Sequence, residues 1–388
     1  MDQIRVIMKR IEFGELRINN SAKKHVQDCL DTNWASMGPK TKLLEEKFAE
    51  LMGTKYAVAT SSGTSSIAAM TLALPEICKR PVVRGRSKVI CPALAFIANS
   101  TAIVSGGLIP RWVDIEPDTL NINETLVEEA IDDDVVAIYA VGTMGKPANM
   151  PELKRIADKY DLLLFEDACE NYGSSINDQP SHSYAIAGCS SFFQAHLVQA
   201  GEGSCIYTDD ENLRDLLVSI RSHGRHPNSA YFDHVRFGSN FKTTDLCASL
   251  ALGAVEEFHQ NIKERKEIWS ELVEFTKPYK QNAWFSNQPD NMNVMPHGFS
   301  ITMKSALENN DKYIGDLTDI LDKYNIHWKR NFGFCGDHSS LKDYNQYNTD
   351  NYSWARWCGN NGVHIGTHRY ITQENTERIK TALREFFE

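Results

Sequence analysis

Between about residues 21 and 250, short apolar runs alternate with longer segments whose apolar residues recur about every three or four positions. The runs are KYAVATS, KVICPAL, IPRWVDI, VVAIYAVG, LLLFEDA, CSSFF and SCIYTD. They are apolar on both faces, which suits strands covered from both sides rather than a sheet with one wet face. The segments between them, SAKKHVQDCLDT, TKLLEEKFAELMG, TSSIAAMTLAL, NETLVEEAI, MPELKRIADKY and DENLRDLLVSIRSHG, read as helices. Strand and helix in turn predict an α/β fold of three layers, with a mostly parallel sheet between helices. Ligands of such sheets bind beyond the carboxyl ends of the strands.

Beyond this region the texture changes. TTDLCASLALGAVEEFHQNIKERKEIWSELVEFTKPY reads as one long amphipathic helix. From about 282 onward apolar runs thin out, asparagine becomes frequent, and TQENTERIKTALREFFE forms a last helix. The expectation is a large domain over residues 1–255 and a smaller α+β domain over 256–388, which a chain of 388 residues can accommodate. A net charge of −10 disfavours general attraction to nucleic acid or an anionic membrane. No apolar run approaches the ~18 residues of a membrane span, and MDQIRVIMKRIEFGEL is too charged for a signal peptide. The nine cysteines are scattered, with no CxxC cluster, so no metal or iron–sulfur site is signalled. A reducing, cytoplasmic setting is expected.

Four stretches carry candidate chemistry. SSGTSS, Ser61 to Ser66, lies where a strand gives way to a helix, and free amides there suit a phosphate. A plain serine N-cap explains the same residues equally well. LLLFEDACENYG places Glu166, Asp167 and Glu170 at the end of a buried strand. A carboxylate there needs a compensating cation or donors, such as a protonated pyridine nitrogen, although helix capping is the commoner use. CPALAFIANSTAI presents Phe96 after a strand, for stacking on a flat ring or simply for core packing. SSFFQAHLVQAGEGSCIYTDD sets Ser191 at a strand end and His196 at the tip of a glycine-containing loop, where a lone histidine is usually just solvated.

Taken in order, these stretches resemble the sugar aminotransferase family of pyridoxal phosphate enzymes, with the large-plus-small-domain architecture of fold type I. The resemblance extends from WASMGPKTKLLEEKFAELMG through VGTMGKPANMPELKRIADKYDLLLFEDAC, the SHG at Ser222 and GSNFKTTDLCASLALG to VHIGTHRY. It implies that Gly63, Thr64 and the Ser191 hydroxyl hold the cofactor phosphate. Phe96 would stack on the pyridine ring and Asp167 would pair with its nitrogen. Asn240 would reach the phosphate of a neighbouring subunit, which implies a homodimer with shared active sites.

At the position of His196 the family normally carries lysine, which both links to the cofactor and moves protons. Imidazole lacks the primary amine for that link but transfers protons near neutral pH. The cofactor is therefore expected to bind non-covalently, as pyridoxamine 5'-phosphate or pyridoxal 5'-phosphate. The sugar 3-dehydratase branch of the family has this arrangement, and also has Glu where this chain has Glu170. The implied reaction removes the C3 hydroxyl of a nucleotide-linked 4-keto-6-deoxy sugar, with His196 as acid and base and glutamate restoring the amine. His223, Arg225, Lys329, Arg330 and His368 lie where family members contact the sugar nucleotide. Three positions depart from the family pattern: Ser204 replaces the last glycine of GEGG, Lys242 replaces an arginine, and Ser65 replaces a common alanine. Two other readings stay open: a 4-aminotransferase in which His196 replaces the lysine, and an inactive regulatory homologue.

Overall fold

Strands that are apolar on both faces belong inside a sheet, and seven such strands form one. The computed structural model describes residues 9–226, 233–304, 313–348 and 351–388. Its main strands are β1 (Tyr56–Thr60), β2 (Lys88–Pro92), β3 (Ile109–Val113), β4 (Val135–Val141), β5 (Leu163–Asp167), β6 (Ala187–Cys189) and β7 (Ser204–Thr208). They lie in the order β1-β7-β6-β5-β4-β2-β3. β2 to β6 run parallel to one another, and β7 runs antiparallel to both of its neighbours, β1 and β6. All of β4 is buried, as a central strand covered on both faces must be. The α/β expectation is met.

Two expected elements differ. CSSFF does not form a strand: β6 ends at Cys189, and the chain then leaves the sheet. The Ser190 hydroxyl accepts from the Cys205 amide at 3.0 Å and donates to the Cys205 carbonyl at 3.2 Å. The Ser190 hydroxyl thus takes the Cys205 amide that the Ser190 carbonyl would accept in a regular ladder, and that carbonyl accepts the Ser204 hydroxyl instead. Phe192 closes the loop bearing His196, its amide donating to the Gly203 carbonyl and its carbonyl accepting the Ala200 amide, each at 2.9 Å. The single long helix is in fact two, Asp245–Glu256 and Phe258–Thr276, parted at Glu257 with φ −99° and ψ 6°. The first piece packs against helices Asn20–Asp31 and Pro39–Met52. The second ends with Trp269 and Leu272 in the core of the small domain. One straight rod could not serve both cores.

The smaller sheet is fully antiparallel, in the order β8 (Ala283–Phe285), β9 (Gly298–Met303), β11 (Gly362–Gly366), β10 (Trp328–Arg330). Helices Ile314–Lys323 and Gln373–Phe387 pack on each other beside it. The chain start joins this body: Ile11 bridges Ile326 and sits in the same apolar cluster. Conversely Phe334, Cys335, Tyr352 and Cys358 return to the core of the main sheet. The returning segment is fastened where β2 and β3 end: Phe334 bridges Leu94, the Cys335 amide donates to the Ala93 carbonyl at 2.8 Å, and the Trp354 and Ala355 amides donate to Asp114. Among the described residues no helix is long and apolar enough to cross a membrane.

Candidate active site

The turn after β1 is built from hydroxyls. Ser62 caps the helix Gly63–Ile77, accepting the Ser65 amide at 3.1 Å. Ser65 Oγ lies 2.9 Å from both Ser61 Oγ and Ser62 Oγ. Behind the turn, Ser66 Oγ meets Thr60 Oγ1 at 2.7 Å and Ser204 Oγ at 2.6 Å, and Ser204 donates to the Ser190 carbonyl at 2.7 Å. A buried chain of hydroxyls therefore ties the turn to the strand end that precedes Ser191. A Cβ on Gly63 would stand 2.8 Å from Cys169 Sγ and 3.2 Å from Ser191 Cβ, so the helix start abuts both residues. Amides of a helix N-terminus beside a serine hydroxyl make a site for a phosphate.

Asp167 ends β5 and is only 6% exposed. Its Oδ2 accepts from Asn99 Nδ2 at 2.6 Å and its Oδ1 from the Cys169 amide at 3.1 Å. Among the described residues it has no ion pair. A buried carboxylate aligned by donors yet lacking a cation suits a protonated pyridine nitrogen. Cys169 and Cys189 flank it, and these three form the single group among the described residues whose ligand atoms could gather on a metal. Asn99 escaped the sequence reading, although ANS lies in the same run as Phe96. No local pattern says that its amide turns toward a strand 68 residues away. Phe96 is 61% exposed, with its ring edge-on to Phe332 at 6.2 Å.

His196 lies on the loop that Phe192 and Ala200 close. Its backbone carbonyl accepts from Arg265 Nη2 at 2.9 Å, and its buried Nδ1 has no partner among the described residues. Burial, then the positive charge of Arg265, pulls its imidazole down to about 4, so the ring is neutral at pH 7. A second imidazole, His297, packs perpendicular to it with ring centroids 4.8 Å apart. His297 Nε2 lies 3.5 Å from Glu170 Oε1, while Glu170 Oε2 accepts the Met144 amide at 2.8 Å. Burial raises the Glu170 carboxyl to about 7. Neither His297 nor Arg265 carried a sequence signal; only folding brings them to the loop.

The other expected residues divide into groups. Lys329 reaches toward Glu170, resting over the Phe13 ring at 4.4 Å, and burial lowers its ammonium below the usual lysine range. Asn240 is exposed beside Phe241, whose carbonyl accepts the Ser61 amide at 2.9 Å, so its segment is fastened to the phosphate turn. His223, with φ +67°, and Arg225 are exposed on the same loop, where Ser222 bridges Asn240. Arg330 is exposed and donates to the Asn360 carbonyl at 3.4 Å. His368 is occupied elsewhere: it is buried, with Nε2 at 3.0 Å from the Glu12 carbonyl and Nδ1 accepting the Tyr370 amide at 3.3 Å. Both of its nitrogens are used within the chain, Nε2 in fastening the chain start and Nδ1 in the turn to Tyr370. Gly63, Asp167, Glu170, Ser191 and His196 thus form one site. Its hydroxyl-lined turn, its cation-free carboxylate and the exposed Phe96 fit pyridoxal phosphate.

The family model for the DegT/DnrJ/EryC1/StrS aminotransferases matches residues 16–384. The chain is 26% identical to the GDP-4-keto-6-deoxy-D-mannose 3-dehydratase of Escherichia coli O55:H7, over 93% of this chain and 96% of that one. It is 27% identical to the GDP-perosamine synthase of Caulobacter vibrioides, over 97% and 98% of the two chains. A solved E. coli GDP-4-keto-6-deoxy-D-mannose-3-dehydratase with bound hydrated PLP superposes with a TM-score of 0.84 at 25% identity, covering 97% of this chain and 100% of that one. The chain belongs to the DegT/DnrJ/EryC1/StrS aminotransferase family, a family of pyridoxal phosphate enzymes that modify sugars.

Proposed function

We propose that this protein is a 3-dehydratase of a nucleotide-linked 4-keto-6-deoxy sugar, with GDP-4-keto-6-deoxymannose as the first substrate to test. The reading is carried by His196, a neutral imidazole whose Nδ1 is buried with no partner among the described residues, where the sequence resemblance puts the family's lysine. It cannot bond covalently to a carbonyl cofactor, so the cofactor is held non-covalently.

Gly63, Thr64 and Ser191 bind the phosphate, and Phe96 covers one face of the ring. Asp167 keeps the proton on the pyridine nitrogen, aligned for this by Asn99 and the Cys169 amide. Bound pyridoxamine phosphate supplies the amine that condenses with the C4 ketone of the sugar and the electron sink for the charge that follows. His196, uncharged at neutral pH, takes the proton from the C4′ carbon of the cofactor and delivers it to the departing C3 oxygen. With no lysine to trap it, the product leaves and hydrolyses to a 3-deoxy-4-keto sugar and ammonia. Glutamate then restores the amine form. Asn240 serves the phosphate of a partner copy, so the working unit is a homodimer. His223, Arg225, Lys329 and Arg330 are proposed to meet the sugar nucleotide.

The test pairs two measurements on purified protein. Borohydride should leave no covalent cofactor adduct. Incubation with GDP-4-keto-6-deoxymannose, glutamate and pyridoxal phosphate should then remove the 3-hydroxyl as ammonia appears. Accumulation of a 4-amino sugar would sink the dehydratase reading in favour of amino transfer, which the synthase relative supports.

A further inference from the structure

The described active-site roles leave His297 unused, yet it is a buried imidazole packed directly on the ring of His196. It is 3% exposed and enters from the segment just before β9, on the small domain. Its Nε2 faces Glu170 Oε1 at 3.5 Å and its ring stands edge-on to His196 at 4.8 Å. Its Nδ1, like that of His196, is buried with no partner among the described residues. A buried polar atom left unpaired costs free energy, so two of them on facing rings call for a reason. Phe13 closes the far side, with its ring 5.6 Å away.

We propose that His297 is a relay residue acting through His196: it passes the proton that His196 carries to the carboxylate of Glu170 and back. This proposal rests on the acid–base role given to His196 above. In the forward step an N–H bond of His196 breaks as one forms at His297 Nδ1, while the Nε2–H bond of His297 breaks as Glu170 Oε1 gains the proton. His297 changes tautomer and ends neutral, Glu170 ends as the acid, and no other reactant is needed. The 4.8 Å spacing lets a rotation of either ring bring the nitrogens into hydrogen-bond contact.

The surroundings favour this distribution. His297 faces His196 on its loop, Arg265 on the helix Phe258–Thr276, His364 on β11, Lys329 on β10 and Glu170 after β5. Burial and the first four groups all oppose a lasting imidazolium at His297, whose pKa is held well below the histidine range. Glu170, raised by burial to about 7, is the one neighbour that can store a proton at neutral pH. A conduit between two such groups needs to be uncharged at rest, and His297 is.

The test uses cofactor-loaded wild type, His297→Phe, His297→Gln and Glu170→Gln. Phe keeps an aromatic ring against Phe13, and Gln keeps a donor for Glu170; neither can relay. Both His297 variants are expected to lose about tenfold or more in kcat, with KM within twofold. The acid limb of kcat near pH 7 should move to lower pH, because Glu170 no longer has to be ionised to receive a proton. Independently of turnover, 15N-histidine NMR of the loaded wild type should show His196 and His297 sharing one titration step, which Glu170→Gln abolishes. Unchanged kcat and pH profile in both His297 variants would overturn the relay, as would independent titration of the two rings. If the wild type makes no deoxy sugar, the dehydratase reading fails by itself, and the NMR measurement still decides the relay.

Discussion

Arg265 offers the sharpest test of how the His196 loop is held. Its guanidinium is 1% exposed and, among the described residues, has no carboxylate partner. It donates to the His196 carbonyl at 2.9 Å and Asn261 Oδ1 at 3.1 Å, and makes longer contacts of 3.4 Å to the Ala195 and Pro296 carbonyls. One side chain thus braces the loop that bears His196 and the segment that bears His297. Arg265→Met keeps most of the volume and removes the donors. Two well-made charged hydrogen bonds are worth about 3–6 kcal/mol together. Against that stands the cost of burying the cation, which pulls the guanidinium down to about 10. From its usual value near 12.5, at about 1.4 kcal/mol per pH unit, this relief is roughly 3 kcal/mol.

The two contributions nearly cancel, so the variant should lose no more than about 3 kcal/mol in urea unfolding, as expected when a buried charge is exchanged for an apolar side chain. Function should suffer more. With the Ala195 and His196 carbonyls released, kcat for the sugar should fall about tenfold or more, since misplacing a catalytic group by a fraction of an ångström is costly. His196 should also titrate at higher pH, because the neighbouring positive charge that holds it down is gone. A loss above about 5 kcal/mol would show that the relief of desolvation is illusory. A stable variant with undiminished kcat would refute the brace.

Other substitutions test separate parts of the site. Ser204→Gly removes a hydroxyl bonded to Ser66 and to the Ser190 carbonyl. It should cost about 1–2 kcal/mol in unfolding and weaken cofactor binding, read by absorbance titration, by less than about tenfold, because Ser66 keeps Thr60. Gly63→Ala places a methyl 2.8 Å from Cys169 Sγ. The strain should cost about 1–3 kcal/mol and show as weaker cofactor retention on gel filtration. His182, outside the site, is buried against Tyr207 and lowered to about 4 by burial. A folded value below the ordinary 6.5 gives stability that is present above pH 6.5 and lost as the pH falls toward 4. His182→Phe should therefore lose about 2 kcal/mol less than wild type between pH 7 and pH 5 in denaturant titrations.

Much of this architecture is legible in the chain because it is written locally. Runs such as VVAIYAVG need no partner to declare themselves as two-sided strands, and the carboxylate of Asp167 follows its strand by simple continuation. The break at Glu257 is not local. Its residues suit a helix on either side, and the turn arises because Ala251 and Leu252 fill one core while Trp269 and Leu272 fill another. His368 misleads for the same reason. Its place near the end of the VHIGTHRY stretch suggests a ligand contact, yet the chain start, more than 350 residues earlier, takes up its Nε2 through the Glu12 carbonyl. Asn99, Arg265 and His297 were invisible because nothing about an isolated asparagine, arginine or histidine states which loop it will face.

That division explains why a histidine can stand at this loop tip at all. A lone imidazole on a glycine-flanked loop would be solvated and half-charged near pH 6.5. Here Phe192 closes the loop against Gly203 and Ala200, Arg265 ties the loop carbonyls to the helix Phe258–Thr276, and His297 covers the ring. Each contact removes water or adds positive charge, and both lower the imidazole pKa. A proton taken up by such a ring is held weakly and given back readily. The same enclosure that makes His196 a poor place to keep a proton makes Glu170, raised to about 7, a good one. Acid and base therefore come from one cause, the packing of the small domain onto the ends of β5 and β6. A substitution anywhere in that contact should move both groups together, His196 upward and Glu170 downward, as water enters.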